Sequence, residues 1–208
     1  MKVVIVGAAG SVGQGVVKLF KNEGHDVIQV NRSQGDVLMD IRDVGSLQKG
    51  FAQIGNVDAI IATMGEVVFK PFDMLTHEDW IQGFESKLLG QIQLTQIGSR
   101  YLNSEGSITL TSGIIADVLV KDGISAATIN GALEHFISAV AVELPSKQRI
   151  NIVSPTVLTE SLTTYQGYFP GFVSIDASSL AQAYLRSALG RENGRILKAF
   201  SNHGVMSV

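Results

Sequence analysis

Short apolar runs alternate with longer segments of helical period along the whole chain. Residues 3–6, 27–30, 58–62, 107–110, 150–153 and 196–200 are rich in aliphatic side chains and show little polar alternation. That is the pattern of strands covered by helices on both faces. Residues 36–40 form a weaker strand candidate in the same rhythm. Between them, Val12, Val16, Leu19 and Phe20 share one helical face, and Gly24 closes that segment. Asp43 is placed to cap a helix that ends near Gly55, and Thr76 followed by Asp79 has the form of a capping box. The box opens a long helix over residues 76–102. A second long helix covers 125–144 before Pro145, and a third covers 176–189 before Gly190.

Strands separated by helices of this length predict βαβ units and an α/β fold. The expected architecture is a doubly wound parallel sheet of about seven strands in three α/β/α layers, a Rossmann fold. No repeat, low-complexity tract or linker divides residues 1–208, which read as one domain. The least regular stretch, residues 155–174, contains Gly167, Pro170, Gly171 and several aromatics. An irregular segment of that length is usually functional or mobile.

Composition narrows the function by exclusion. A net charge of −3 without a clustered basic face gives no footprint for nucleic acid. There are no cysteines, so disulfides, thiolate catalysis and Cys-ligated zinc are excluded, and a reducing compartment fits. No apolar stretch approaches the roughly 18 residues of a membrane span. A soluble cytoplasmic protein without membrane or nucleic-acid partners is expected. The four histidines are scattered without paired spacing, so no metal site is expected. Ser112 lies outside any Gly-x-Ser-x-Gly elbow, and no phosphate-binding Gly-Lys-Ser/Thr run occurs.

The strongest chemical signal is Val6-Gly7-Ala8-Ala9-Gly10-Ser11-Val12-Gly13, which follows the first strand and opens the first helix. Gly7 suits the tight turn, Gly10 lets backbone approach a pyrophosphate, and Gly13 permits close helix–strand packing. Phosphates would then meet the unpaired N–H groups and positive dipole end of the helix, around Ala9, Ser11 and Val12. The second strand ends in Asn31-Arg32-Ser33, with no carboxylate to take a ribose 2′-hydroxyl. Arginine there favours a 2′-phosphate, so NADP is expected ahead of NAD.

With these motifs in order, nearly the whole chain resembles the short-chain dehydrogenase/reductase family. The resemblance implies that Asp40 and Ile41 hold the adenine and that Ala62-Thr63-Met64-Gly65 lie beside the cofactor ribose. It implies that Ser112, at the end of Thr109-Leu110-Thr111-Ser112-Gly113, is the catalytic serine. Asn151 to Thr159 matches the region that meets the nicotinamide carboxamide, which assigns Pro155, Val157 and Thr159 to the cofactor. It also implies a two-fold symmetric homo-oligomer, paired through helices bearing Phe84, Leu88, Ile92, Phe136, Ile137 and Val140, and a small carbonyl or alcohol substrate.

The family's Tyr-x-x-x-Lys pair is missing. One register puts Ala126 and Asn130 at its two positions, and the other puts Ser125 and Ile129 there. The active-site asparagine of the preceding helix is replaced by Lys87. Lys87 could lend its charge to the site in place of the missing lysine, with a pKa lowered by partial burial. Tyr165 or Tyr168 could supply a phenol from the irregular segment, or serve as hydrophobic cover. Two functions stay open at this level: an NADP-dependent oxidoreductase with an atypical active site, and a non-catalytic NADP-binding sensor or scaffold.

Overall fold

A computed structural model describes residues 1–145, 147–165, 167–200 and the backbone of 206–207. The strands are β1 (Lys2–Val6), β2 (Asp26–Asn31), β3 (Val37–Leu38), β4 (Val57–Ala62), β5 (Leu102–Thr111), β6 (Arg149–Pro155), β7 (Ile196–Ala199) and β8 (Met206–Ser207). They form one sheet in the order β3-β2-β1-β4-β5-β6-β7-β8. The first seven are mutually parallel and β8 pairs antiparallel to β7. The order reverses between β1 and β4, which opens a crevice at their carboxyl ends.

The continuous apolar runs divide between two cores because successive side chains leave a strand on opposite faces. Val3 and Ile5 of β1, with Ala59 and Ile61 of β4, pack with Val16 and Phe20 of α1 (Ser11–Asn22) and Leu180 and Tyr184 of α6 (Ala177–Leu189). Val4, Val6, Ile60 and Ala62 face the other way. They meet Leu47 and Phe51 of α2 (Val44–Ile54), Leu94 of α4 (Gly90–Gly98), and Ile129 and Leu133 of α5 (Ile124–Val140). The layers are therefore α/β/α.

Helix starts follow local chemistry. Asp43 accepts from Gly45 N–H and Asp176 from Ser179 N–H, while Thr76 and Asp79 form the reciprocal capping box of α3 (His77–Gly83).

Several expected boundaries are corrected. The helix predicted over 76–102 is interrupted: α3 passes into a π-helical turn, Phe84–Leu89, then α4, then a 3₁₀ turn at Ser99–Tyr101. An extra residue in one turn rotates the side chains that follow it, and here it carries Ser86 and Lys87 inward. β5 begins at Leu102, longer than predicted, with a register shift against β4 between Val57 and Ala59. α5 stops at Val140, short of Pro145, and the chain continues in turns in which the carbonyl of Val140 accepts from both Glu143 and Leu144 N–H. β3 is reduced to two residues, and β8 had no periodic signal at its length. Phe84 and Leu88 of the π-helical turn and Phe136 and Val140 of α5, expected at an oligomer face, are partly buried and touch the core from its edge.

Candidate active site

Two adjoining cavities lie in the crevice at the carboxyl ends of the strands, and Thr63, Met64 and Gly65 line both.

The first, about 380 Å³, is lined by Gly7, Gly10, Asn31, Arg32, Ser33, Met39, Asp40, Ile41, Arg42 and Ser86 among others. Its floor is the glycine loop. Gly7 N–H donates to Val30 O (2.9 Å), which ties the loop to the end of β2. A Cβ on Gly13 would lie 2.2 Å from Gly7 O and 2.8 Å from Ala8 Cα, so only glycine lets α1 start this close to the turn. Gln14 N–H is the first donor of α1 to close on a loop carbonyl, Gly10 O. The Ser11, Val12 and Gly13 N–H groups of the first turn have no intrahelical acceptor. This cradle fits a dinucleotide pyrophosphate.

Ala9, Ser11, Gly13 and Ala62 stand beside this cavity rather than in its wall. Ala9 N–H is taken by the Asn31 side-chain oxygen (2.9 Å), and Ala62 O accepts from Thr111 Oγ1 (2.5 Å). Arg32 is exposed at the rim and makes no ion pair among the described residues. Arg42, which sequence reasoning missed, lies in the same wall and pairs with Asp40 (3.0 Å). That hydrogen bond holds the Asp40 carboxyl below its ordinary pKa and raises that of Arg42. The available signal was its position two residues after Asp40, in the segment assigned to the adenine.

The second cavity, about 220 Å³, contains Lys87, Ser112, Asn130, Pro155 and Val157, and Val12 lies at its edge. Apolar side chains close it: Val67, Phe69, Ile114, Ile115, Tyr165 and Phe169. Tyr165 and Tyr168 both pack on Phe69, with ring centroids 5.4 and 4.9 Å away. Tyr165 reaches the cavity wall as part of an aromatic cluster, and Tyr168 does not line it. Thr159 does not line it either. Its N–H donates to Ile175 O (2.9 Å) in the parallel bridge between Leu158 and Ile175, and its hydroxyl donates to Ser174 Oγ (2.9 Å). Thr156 and Leu158 take the cavity wall instead.

Lys87 is 8% exposed, and its Nζ donates to the backbone oxygen of Ser112 (3.0 Å). Burial pushes its pKa down to about 8 although the Glu134 carboxylate pulls upward. Gly65, at φ +132°, passes so close that a Cβ there would sit 2.6 Å from Lys87 Cγ. Ser112 Oγ donates to Glu134 Oε1 (2.6 Å). Burial raises the Glu134 pKa, partly offset by the Ser112 and Ser154 hydroxyls. The side-chain oxygen of Asn130 is buried without a hydrogen-bond partner. Glu134 was missed from sequence. It lies one helical turn beyond Asn130 on the same buried face of α5, and that i, i+4 pair of polar residues was the available signal.

A glycine cradle at the sheet's switch point, continuous with a buried polar site, defines a dinucleotide-binding protein of the doubly wound class. Comparison with known proteins is specific. Residues 7–193 match the family model described as Enoyl-(Acyl carrier protein) reductase, and the chain belongs to the short-chain dehydrogenase/reductase family of oxidoreductases. It is 28% identical over 178 residues to L-xylulose reductase of Homo sapiens, covering 77% of this chain and 73% of that protein. The solved structure of protein lin1944 from Listeria innocua superposes with TM-score 0.91 at 38% identity, covering 97% of this chain and 98% of that one. A small-chain dehydrogenase solved in complex with NADPH superposes with TM-score 0.85 at 27% identity, covering 96% of both chains.

Proposed function

We propose that the protein is an NADP(H)-dependent reductase of small, largely apolar carbonyl compounds, with a polar centre built from Lys87, Ser112 and Asn130 in place of a tyrosine and lysine pair. The observation that carries this reading is the continuity of the two cavities through Thr63, Met64 and Gly65. A dinucleotide cradled at Gly7–Gly13 would therefore reach the polar centre.

NADP rather than NAD is supported by Arg32 and Arg42 in the first cavity, two cations suited to a 2′-phosphate. The similar small-chain dehydrogenase solved with NADPH points the same way. When bound, the reduced nicotinamide supplies hydride to the carbonyl carbon. Lys87 spends one of its three N–H donors on Ser112 O, which leaves two for the cavity. They stabilise negative charge developing on the carbonyl oxygen, a preorganised role that needs no reorganisation during reaction. Ser112 and Asn130 orient the oxygen, and the aromatic wall of Phe69, Tyr165 and Phe169 excludes water and receives the apolar part of the substrate. A protein that merely holds the dinucleotide has no use for a lysine stripped of water in the adjoining cavity, which favours the enzyme over the scaffold.

Calorimetric titration with NADPH and NADH tests the cofactor. NADPH is expected to bind at least tenfold tighter, with most of that preference lost in Arg32→Ala combined with Arg42→Ala. Equal affinities, unchanged by the double substitution, would refute NADP selectivity. A carbonyl screen following NADPH oxidation then tests activity, with Lys87→Met expected to lower kcat on the order of 10²-fold.

A further inference from the structure

We propose that Glu134 holds the proton for this reaction and passes it through Ser112, so that the buried Ser112–Glu134 pair stands in for the missing phenol. The inference rests on the oxidoreductase reading and assigns its proton path.

The geometry is specific. Ser112 sits at the mouth of β5 with its backbone oxygen held by Lys87 (3.0 Å) and its hydroxyl held by Glu134 (2.6 Å). Its side chain therefore touches the cavity on one side and a carboxyl group on the other. Glu134 is 9% exposed and does not line the cavity, so it acts through Ser112 as a positioning residue. Among the described residues, the charged groups named as bearing on it come from other elements. Lys87 faces it from the π-helical turn, and Asp117 and Lys198 face it from beyond β5 and from β7. Asp117 and Lys198 pair with each other (2.7 Å), and their effects on Glu134 oppose. Desolvation outweighs these groups and moves the carboxyl toward its neutral form.

A serine has one hydrogen to give. With Glu134 ionised, that hydrogen points at the carboxylate, and Ser112 can only accept from a ligand in the cavity. With Glu134 protonated, the carboxyl donates to Ser112 Oγ, and the serine hydrogen is freed for a carbonyl oxygen. In reduction the carbonyl carbon gains hydride from the reduced nicotinamide dinucleotide. Its oxygen takes the Ser112 proton, Ser112 takes that of Glu134, and the carboxylate left behind recovers a proton from solvent. In alcohol oxidation each transfer runs backward from the ionised carboxylate. The protonation of Glu134 thus sets the direction in which the site moves a proton.

The test uses Glu134→Gln, Ser112→Ala and the whole wild-type chain. Glutamine keeps the size and a hydrogen bond but carries no transferable proton. Reduction by Glu134→Gln should fall about 10²-fold in kcat with KM and NADPH affinity little changed. The decline of wild-type rate with rising pH through the carboxyl's raised pKa should vanish in the variant. Independently of turnover, the side-chain carboxyl of Glu134, labelled with ¹³C and assigned by its loss in Glu134→Gln, is titrated by NMR in cofactor-free protein. It should titrate above the ordinary glutamate range, and higher still in Ser112→Ala, which removes a donor to the carboxylate. Wild-type rate and pH profile in Glu134→Gln, or an ordinary midpoint unmoved by Ser112→Ala, would overturn the relay. If the titration behaves as expected while wild-type protein reduces no carbonyl, the reductase reading fails and takes the relay with it, though the coupled pair stands.

Discussion

Lys87 is the residue at which stability and function pull apart. Its folded pKa near 8 lies below the unfolded value of 10.5, so the folded state disfavours the charged form. Below pH 8 both states are protonated and the penalty is complete, roughly 3 kcal/mol. Between pH 8 and 10.5 the unfolded chain binds more protons than the folded one, and stability rises with pH until the penalty is gone. Lys87→Met removes the charge and also its hydrogen bond to Ser112 O, worth about 1 kcal/mol. The variant should melt ~4–8 °C above wild type at pH 7, and the gap should close as pH is raised toward 10.5. Paired thermal melts across that range check it. A destabilised Lys87→Met with no pH-dependent gap would mean that the ammonium is well solvated in the folded protein.

At the scale of elements, two local devices place the chemistry. One is the turn between β1 and α1. Gly13→Ala must push Cβ into Gly7 O and the Ala8 backbone, neither of which can yield without moving the loop. A loss of about 2 kcal/mol or more is expected, read as a lowered melting temperature. Gly10→Ala meets only Gly7 O at 3.4 Å, so it should fold normally and lose dinucleotide affinity instead. Melts and calorimetry on the two variants separate packing from ligand approach. The other device is the π-helical turn. Helical periodicity assigned 76–102 to one continuous helix, because one surplus residue in a turn leaves the apolar spacing on either side almost unchanged. Its effect is on direction, and it is this turn that brings Lys87 to Ser112.

At the scale of the molecule, the two cavities meet only because β4 lies between β1 and β5. The glycine loop follows β1, Thr63 to Gly65 follow β4, and Ser112 follows β5, so three consecutive strands in space deliver cradle, bridge and polar centre. A ligand that spans all three should stabilise the fold as a unit. NADPH at a hundred times its Kd should add about 2.7 kcal/mol, raising the melting temperature by ~5–10 °C, and NADH at the same concentration should do less. Differential scanning fluorimetry measures both. No shift with either dinucleotide would contradict the shared groove.

The sequence by itself determined the seven parallel strands, the helices between them and the glycine turn. Burial on both faces, capping and backbone approach to phosphate are written in residues that are near neighbours along the chain. It also carried the family's motifs in order, and the gap where tyrosine and lysine were expected. The sequence offered Lys87 for that gap, and tertiary structure alone decided which groups stand beside it and Ser112. Lys87 and Ser112 are 25 residues apart and Ser112 and Glu134 are 22 apart. A buried charge or hydroxyl is satisfied by whichever group the fold brings within hydrogen-bond reach, and no local period records that choice. For the same reason the placement of Glu134 beside Ser112 and of Arg42 beside Asp40 was not readable from local pattern.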